Sequence, residues 1–401
     1  MKILVFYNNI KFGQDATGNI VHTIFKNELF KNDEIFYFGF GNGNDLKNCF
    51  FVNDLFTKSF GGIIHSHYSF FSKLNAIFMK AFSKLCLSIC QIDLIKVFVL
   101  SKELKHILKI NKFDCIVTCG GPIEVLCTAS KFMFDKHIVY LTDIYSIGEN
   151  TRSKKYASFK KWENKLYEKA NVILTPFNFV DDYKSCFPVY NNKFFAIEFP
   201  ALFPESIIID SQKKDSTLNK ISLLYLGSLT GSGRKCNYLF ELFSDLDFCE
   251  LNIYSKLNKK TSFLVNSNNF HIYDPVDFQR IPEIIASSNA TLVIDNGLTY
   301  GKMIPSKVLN YVSFCKPIII LGENKILSGC YKLLMGYPNV FYYEYGVSSK
   351  NELIHFLKAN CFHLNYFDRQ IYSMYSNFAP SNVAAKIRRI AFNDSGDGKS
   401  E

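Results

Sequence analysis

Ser306 and Lys307, in the run Ile304-Pro305-Ser306-Lys307, are residue types that hold an anion when a helix begins beneath them. Pro305 fits a first helical turn because its missing N–H needs no partner there, and the free backbone N–H groups that follow point outward. With the positive end of the helix dipole behind them, a hydroxyl and a lysine at this point favour a phosphate or diphosphate. A glycine loop, Gly227-Ser228-Leu229-Thr230-Gly231-Ser232-Gly233-Arg234, follows the apolar run 221–226. In the first half, Gly13 and Gly18 lie between an apolar run at 2–7 and a helical pattern at 19–30. They do not make the G-x-G-x-x-G dinucleotide fingerprint, so a tight strand-to-helix turn and a substrate-binding loop both account for them. Gly120 and Gly121 close the run 113–119, and Asp143 closes 137–142. Ligands of parallel sheets collect at the carboxyl ends of strands, which places Gly120, Gly121 and Asp143 beside a cleft.

The elements that position these residues are legible as alternating patterns. Residues 289–321 read as a buried strand at 291–294, a loop, a helix opening near Pro305, and a second buried strand at 317–321. Short aliphatic and β-branched runs without polar alternation are what a strand covered on both faces requires. Strands at 2–7, 34–40, 113–119, 137–142 and 172–175 precede a polar, charged stretch at 203–219, read as a linker or exposed hairpin. The alternation then restarts with strands at 221–226, 250–254 and 270–273 and a helix at 280–287. Two such series predict an α/β protein of two Rossmann-like, doubly wound domains facing a central cleft that holds the ligand. The expected divisions are an acceptor-binding domain 1–205, a linker 206–219 and a nucleotide-binding domain 220–378. A helix at 379–392 should pack back towards the first domain, ahead of a disordered tail at 393–401.

The totals agree with two domains, since 401 residues exceed one ordinary core. A hydrophobic share of 48% excludes a disordered chain. No run of about eighteen uncharged apolar residues marks a spanning helix; the longest candidate, 87–100, is interrupted by Gln91, Asp93 and Lys96. The first residues enter a strand pattern rather than a signal peptide, which predicts a cytoplasmic location. Twelve cysteines are scattered without a C-x-x-C pair, so they read as buried thiols. His65 and His67 lack a third ligand in register and read as polar loop residues rather than a metal pair.

A net charge of +10 calls for an anionic partner: nucleic acid, anionic lipid or a nucleotide diphosphate. Residues 71–112 hold eight lysines against Asp93 and Glu103, a net charge of +6. Lys73, Lys80 and Lys84 share a helical face, with Leu74, Ile77, Phe78, Phe82 and Leu85 on the rest. Such a helix suits an anionic membrane surface, and it equally suits a solvated lysine face over a core stripe. No RNA- or DNA-binding module accompanies the charge.

From about residue 221 to 321 the chain resembles the nucleotide-sugar domain of GT-B glycosyltransferases, and is similar to glycosyltransferase family 4. The resemblance is carried by the Gly227-Ser228-Leu229 loop with Arg234, by the run 274–288 (DPVDFQRIPEIIASS) before the strand at 291, and by Ile304-Pro305-Ser306-Lys307 leading to Lys316-Pro317-Ile318-Ile319. It implies a hexosyltransferase-like enzyme that uses a nucleotide diphosphate sugar as donor, with no metal or other cofactor. Arg234, Ser306 and Lys307 would neutralise the leaving diphosphate. Asp143, which resembles an Asp after a central strand in related enzymes, would act on the acceptor hydroxyl or orient the sugar, or serve as a structural carboxylate. Many members carry two glutamates where this chain has Lys302 and Asn310. Asn310 can still bond a ribose or sugar hydroxyl and Lys302 can face phosphate or sugar, but donor identity and stereochemical outcome stay open. The acceptor would be a glycan or polyprenyl-diphosphate-linked glycan of bacterial surface polysaccharide synthesis, with peripheral contact to the inner face of the plasma membrane. A nucleotide-sugar epimerase of related fold and a non-catalytic scaffold are the alternatives.

Overall fold

The computed structural model describes residues 1–9, 16–40, 48–52, 92–121, 123–147, 154–211, 220–229, 235–255, 267–295, 302–362 and 368–392. The chain forms two compact units, Met1–Glu198 with Val383–Glu401, and Phe199–Asn382.

The first unit is built on one parallel sheet. Its strands are β1 (Lys2–Asn9), β2 (Glu34–Phe40), β3 (Cys49–Val52), β4 (Cys115–Cys119), β5 (His137–Tyr140), β6 (Val172–Pro176) and β7 (Phe194–Ile197). They lie in the order β3-β2-β1-β4-β5-β6-β7. β4 and β5 are buried along their whole length, the burial expected of strands covered by helices on both faces. The helices are α1 (Ala16–Phe25), α2 (Leu94–Ile110), α3 (Ile123–Ala129), α4 (Lys154–Lys169) and α5 (Val180–Cys186). Asp93 starts α2 by accepting from the N–H groups of Ile95 and Lys96, and its own N–H donates to Glu124 on α3 at 2.9 Å.

The second unit repeats the plan with β8 (Ile221–Leu226), β9 (Cys249–Tyr254), β10 (Phe270–Tyr273), β11 (Ala290–Ile294), β12 (Ile318–Gly322) and β13 (Val340–Glu344). The order is β10-β9-β8-β11-β12-β13, again parallel throughout. Its helices are α6 (Glu205–Ser211), α7 (Asn237–Phe243), α8 (Ile281–Ser287), α9 (Lys307–Ser313), α10 (Gly329–Leu333), α11 (Lys350–Asn360) and α12 (Arg369–Met374). A buried lysine belongs to this scaffold: Lys316 donates to the carbonyls of Ala286 and Ser288, both at 2.7 Å. It thereby satisfies carbonyls that the end of α8 leaves open, and burial lowers its pKa to about 8.

The last helix, α13 (Pro380–Ala391), turns Val383, Ala384, Ile387 and Ala391 inward. From Val383 onward it belongs to the first unit, where Lys386 pairs with Glu198 at 2.8 Å and Arg388 pairs with the buried Asp33.

Two elements differ from the sequence reading. Residues 206–211, expected in a linker, are the body of α6, because Ile208 is buried in a cluster with Phe203, Leu224 and Ile285. The helix expected near Pro305 begins at Lys307 with Ser306 as its N-cap, the carbonyl of Pro305 accepting from Val308 N–H at 2.9 Å.

Candidate functional site

Each sheet reverses its order at one place, between β1 and β4 in the first unit and between β8 and β11 in the second. The helices that follow the two central strands leave on opposite faces there, so a crevice opens at the carboxyl ends. In the second unit β8 and β11 are in register only at Leu223 with Ala290 and Leu224 with Thr291. Beyond these pairs β8 runs on to Leu226 and β11 to Ile294 without further residues in register.

Gly227 lies at the end of β8 with φ +119°, a conformation that side chains with a Cβ rarely adopt. The space a Cβ would take is filled by the Lys307 ammonium. Lys307, the first residue of α9, donates to the carbonyl of Leu226 and lies 4.8 Å above the ring centroid of Tyr225. Tyr225 in turn donates its hydroxyl to the Ser228 carbonyl at 2.8 Å. The structure therefore brings Gly227, Ser228, Ser306 and Lys307 to one strand end and fixes the lysine through the backbone and an aromatic face. Ser306 makes no side-chain capping hydrogen bond.

Asn310 is placed differently. Its Oδ1 accepts from Leu202 N–H at 2.8 Å within the second unit, and the residue is buried, so this oxygen already has a backbone partner. Lys302 is exposed, and its backbone packs against Gly329 so closely that a Cβ at 329 would strike the Lys302 carbonyl. Arg234 lies outside the described residues. Asp295 at the end of β11 and the ion pair of Lys235 with Glu323, 2.8 Å, add charge around the same strand ends. Tyr225 and Asp295 were not singled out in the sequence; each stands at the end of a strand run, which is the signal that marks them.

In the first unit the same topological position is hydroxyl-rich. Thr17 and Thr142 are 3.2 Å apart through their hydroxyls, and Thr142 donates to the Gly120 carbonyl. Gly121 has φ +118°, and a Cβ there would meet the Asp143 carboxylate first and the hydroxyls of Thr142 and Thr17 next. Gly18, Gly120, Gly121 and Asp143 are thus assembled at the ends of β4 and β5 and the start of α1, together with two threonines that sequence reasoning passed over. Gly13 lies outside the described residues, as do Lys73, Lys80, Lys84, His65, His67 and the tail 393–401.

Among the described residues no group of three His, Cys, Asp or Glu side chains is arranged to hold a metal ion, and no helix is long and apolar enough to cross a membrane. The described cysteines are free, and several carry pKa values raised by burial, as Cys115 does to about 12.

No protein-family model and no curated protein sequence matches the chain. Solved structures do. Sucrose-phosphate synthase from Thermosynechococcus elongatus superposes with a TM-score of 0.65 at 8% identity, covering 97% of this chain and 98% of that one. HepE from Anabaena, solved with UDP and glucose, gives 0.60 at 11% identity over 97% and 98%. UDP-GlcNAc 2-epimerase from Methanocaldococcus jannaschii gives 0.53 at 14% identity over 97% and 99%. With its two parallel sheets, each in Rossmann order, the chain has the GT-B fold of glycosyltransferases.

Proposed function

We propose that the protein is a glycosyltransferase that moves a sugar from a nucleotide diphosphate sugar to a hydroxyl of a glycan or lipid-linked glycan. The observation that carries this reading is the Lys307 ammonium held over Gly227 at the reversal point of the second sheet. A fixed cation beside a backbone that lacks a Cβ lets a diphosphate approach closely and gains a charge-assisted contact. Ser306, Ser228 and Arg234 would add donors, and Lys302 would face the phosphate or sugar from the loop before α9. Charge on the departing diphosphate is assigned to these cations, with no resident metal or cofactor in the scheme. Asp143 would receive the acceptor proton or orient the sugar.

The likeness to HepE, solved with UDP and glucose, makes a uridine donor the first to try. Calorimetry with a panel of nucleotide sugars should find at least one that binds, and Lys307→Ala should weaken that binding at least tenfold. Binding of none, or an unchanged affinity in the variant, would overturn the reading. The likeness to UDP-GlcNAc 2-epimerase favours one rival, which acceptor-free product analysis separates: an epimerised nucleotide sugar would replace glycosyl transfer. Binding without turnover under any acceptor would favour a non-catalytic scaffold.

A lipid-linked acceptor in surface polysaccharide synthesis is the part of this proposal that the α2 face supports. Phe98 is 64% exposed and Ile110 63%, and the exposed Lys102, Lys105 and Lys109 lie between them, with Lys112 just beyond the helix. Cations flanked by apolar tips suit an anionic bilayer at the cytoplasmic face. Protein should sediment with vesicles containing phosphatidylglycerol and release at high salt, whereas equal binding to neutral vesicles would remove the electrostatic part.

A further inference from the structure

Behind Asp143 the first unit buries a carboxylate for which the proposed chemistry has no use. Glu163, on α4, is 0% exposed, and its Oε1 accepts from the hydroxyl of Tyr167 at 2.7 Å. The chain segment 143–147 is laid across this helix at two points: the Tyr145 ring meets Phe159 edge-on at 5.8 Å, and Ser146 faces the Glu163 carboxyl. Ser146 presents both its hydroxyl and its backbone N–H to this carboxyl, and Glu163 Oε2 and Ser146 Oγ are both buried, so the strength of the contact depends on the charge of the carboxyl. Among the described residues the other titratable groups around it are the hydroxyls of Tyr145 and of Tyr183 from α5, Lys160 from α4 itself, and Asp143, Glu124 and Cys127 around Tyr145.

We propose that Glu163 is a positioning residue: its carboxylate holds Ser146, and through the segment 143–147 it fixes the Asp143 side chain against Gly121. Its role in turnover rests on the reading of Asp143 as the acceptor-side group, whereas its hold on the segment does not. When ionised, the carboxylate accepts from Ser146 and Tyr167 together and the segment is tight. When it takes up a proton, the contact to Ser146 weakens and the segment loosens. Burial raises its pKa to about 7, against the pull of Ser146, Tyr167 and Lys160, so the change falls near neutrality.

The test is amide hydrogen exchange of peptides covering 143–147 in the whole protein at pH 6 and pH 8, corrected for intrinsic rates. The wild type should be roughly tenfold better protected at pH 8, the gap between a neutral and a charge-assisted hydrogen bond. Glu163→Gln should remove the difference, and Ser146→Ala, which leaves the buried carboxyl and the backbone N–H at 146 in place, should reduce it. Alongside, kcat/KM with the nucleotide sugar that binds should fall below pH 7 in the wild type and lose that limb in Glu163→Gln. Equal protection at both pH values in the wild type, or the same pH response in both variants as in the wild type, would overturn the proposal. If no nucleotide sugar is turned over, the functional reading fails and the exchange result still decides the role of Glu163.

Discussion

Replacing Glu163 by Gln should raise stability above neutral pH and leave it nearly unchanged in mild acid. The carboxyl is fully buried, and burial moves its pKa from 4.5 to about 7. A group whose folded-state pKa is raised contributes stability that is present below the unfolded value and lost as pH rises through the folded one. Between pH 4.5 and 7 the unfolded chain releases a proton that the native state keeps, so stability falls over that window. At about 1.4 kcal/mol for each pH unit, the loss approaches roughly 3 kcal/mol once the native carboxyl is ionised. Gln fills the same space and cannot ionise, so its advantage over the wild type should be roughly 2–3 kcal/mol larger at pH 8.5 than at pH 5. The chain contains one tryptophan, Trp162, adjacent to Glu163 on α4, so urea unfolding followed by its fluorescence reports this unit directly. Wild-type and variant curves that stay parallel from pH 5 to 8.5 would refute the burial argument. A buried acid whose ionised form costs stability fits a group retained for what it does rather than for packing.

At Gly227, substitution by Ala should strain a backbone at φ +119° and drive a methyl group into the Lys307 ammonium. The strain alone is worth about 1–2 kcal/mol, and displacement of the lysine should lower nucleotide diphosphate affinity at least tenfold by calorimetry; wild-type affinity would separate Gly227 from the site. Asn310→Ala should expose the reverse pattern, because Oδ1 is the acceptor for the Leu202 N–H. Leaving that buried group unpaired costs about 1–3 kcal/mol of stability, with nucleotide affinity within twofold of wild type, and a large affinity loss without destabilisation would restore Asn310 to the ligand.

Much of the scaffold was legible because central parallel strands announce themselves. The runs 221–226, 291–294 and 317–321 are aliphatic on both faces, and they became β8, β11 and β12. Of the four edge strands, only β10 at 270–273 was read. β3, β7 and β13 each lie at a sheet edge and are apolar runs of only four or five residues, too short for periodicity to tell a strand from a buried helix segment. α6 was missed because its polar neighbours outweigh Ile208, whose burial exists only in the folded unit. Around the sites, glycine loops and a helix start are local signals, and they pointed to Gly121, Gly227 and Lys307. Thr17 meeting Thr142, or Glu163 meeting Ser146, depends on which strands become neighbours, and no local pattern encodes that.

The same strand order, used twice, yields reversal points of opposite chemical character. In the second unit the strand end presents a lysine fixed by a carbonyl and a tyrosine ring, an environment that favours negative charge. In the first, the equivalent place presents two hydroxyls and a carboxylate packed around Gly121. The topology explains why both places are open to a ligand. It does not explain the contrast, which comes from single residues: Lys307 at the start of α9 and Asp143 after β5. Transfer of a sugar from a diphosphate to a hydroxyl needs one pole that stabilises a departing anion and another that receives a proton. Epimerisation of a nucleotide sugar needs proton transfer at the sugar itself, so product analysis without an acceptor is the measurement that separates it from the proposed transfer.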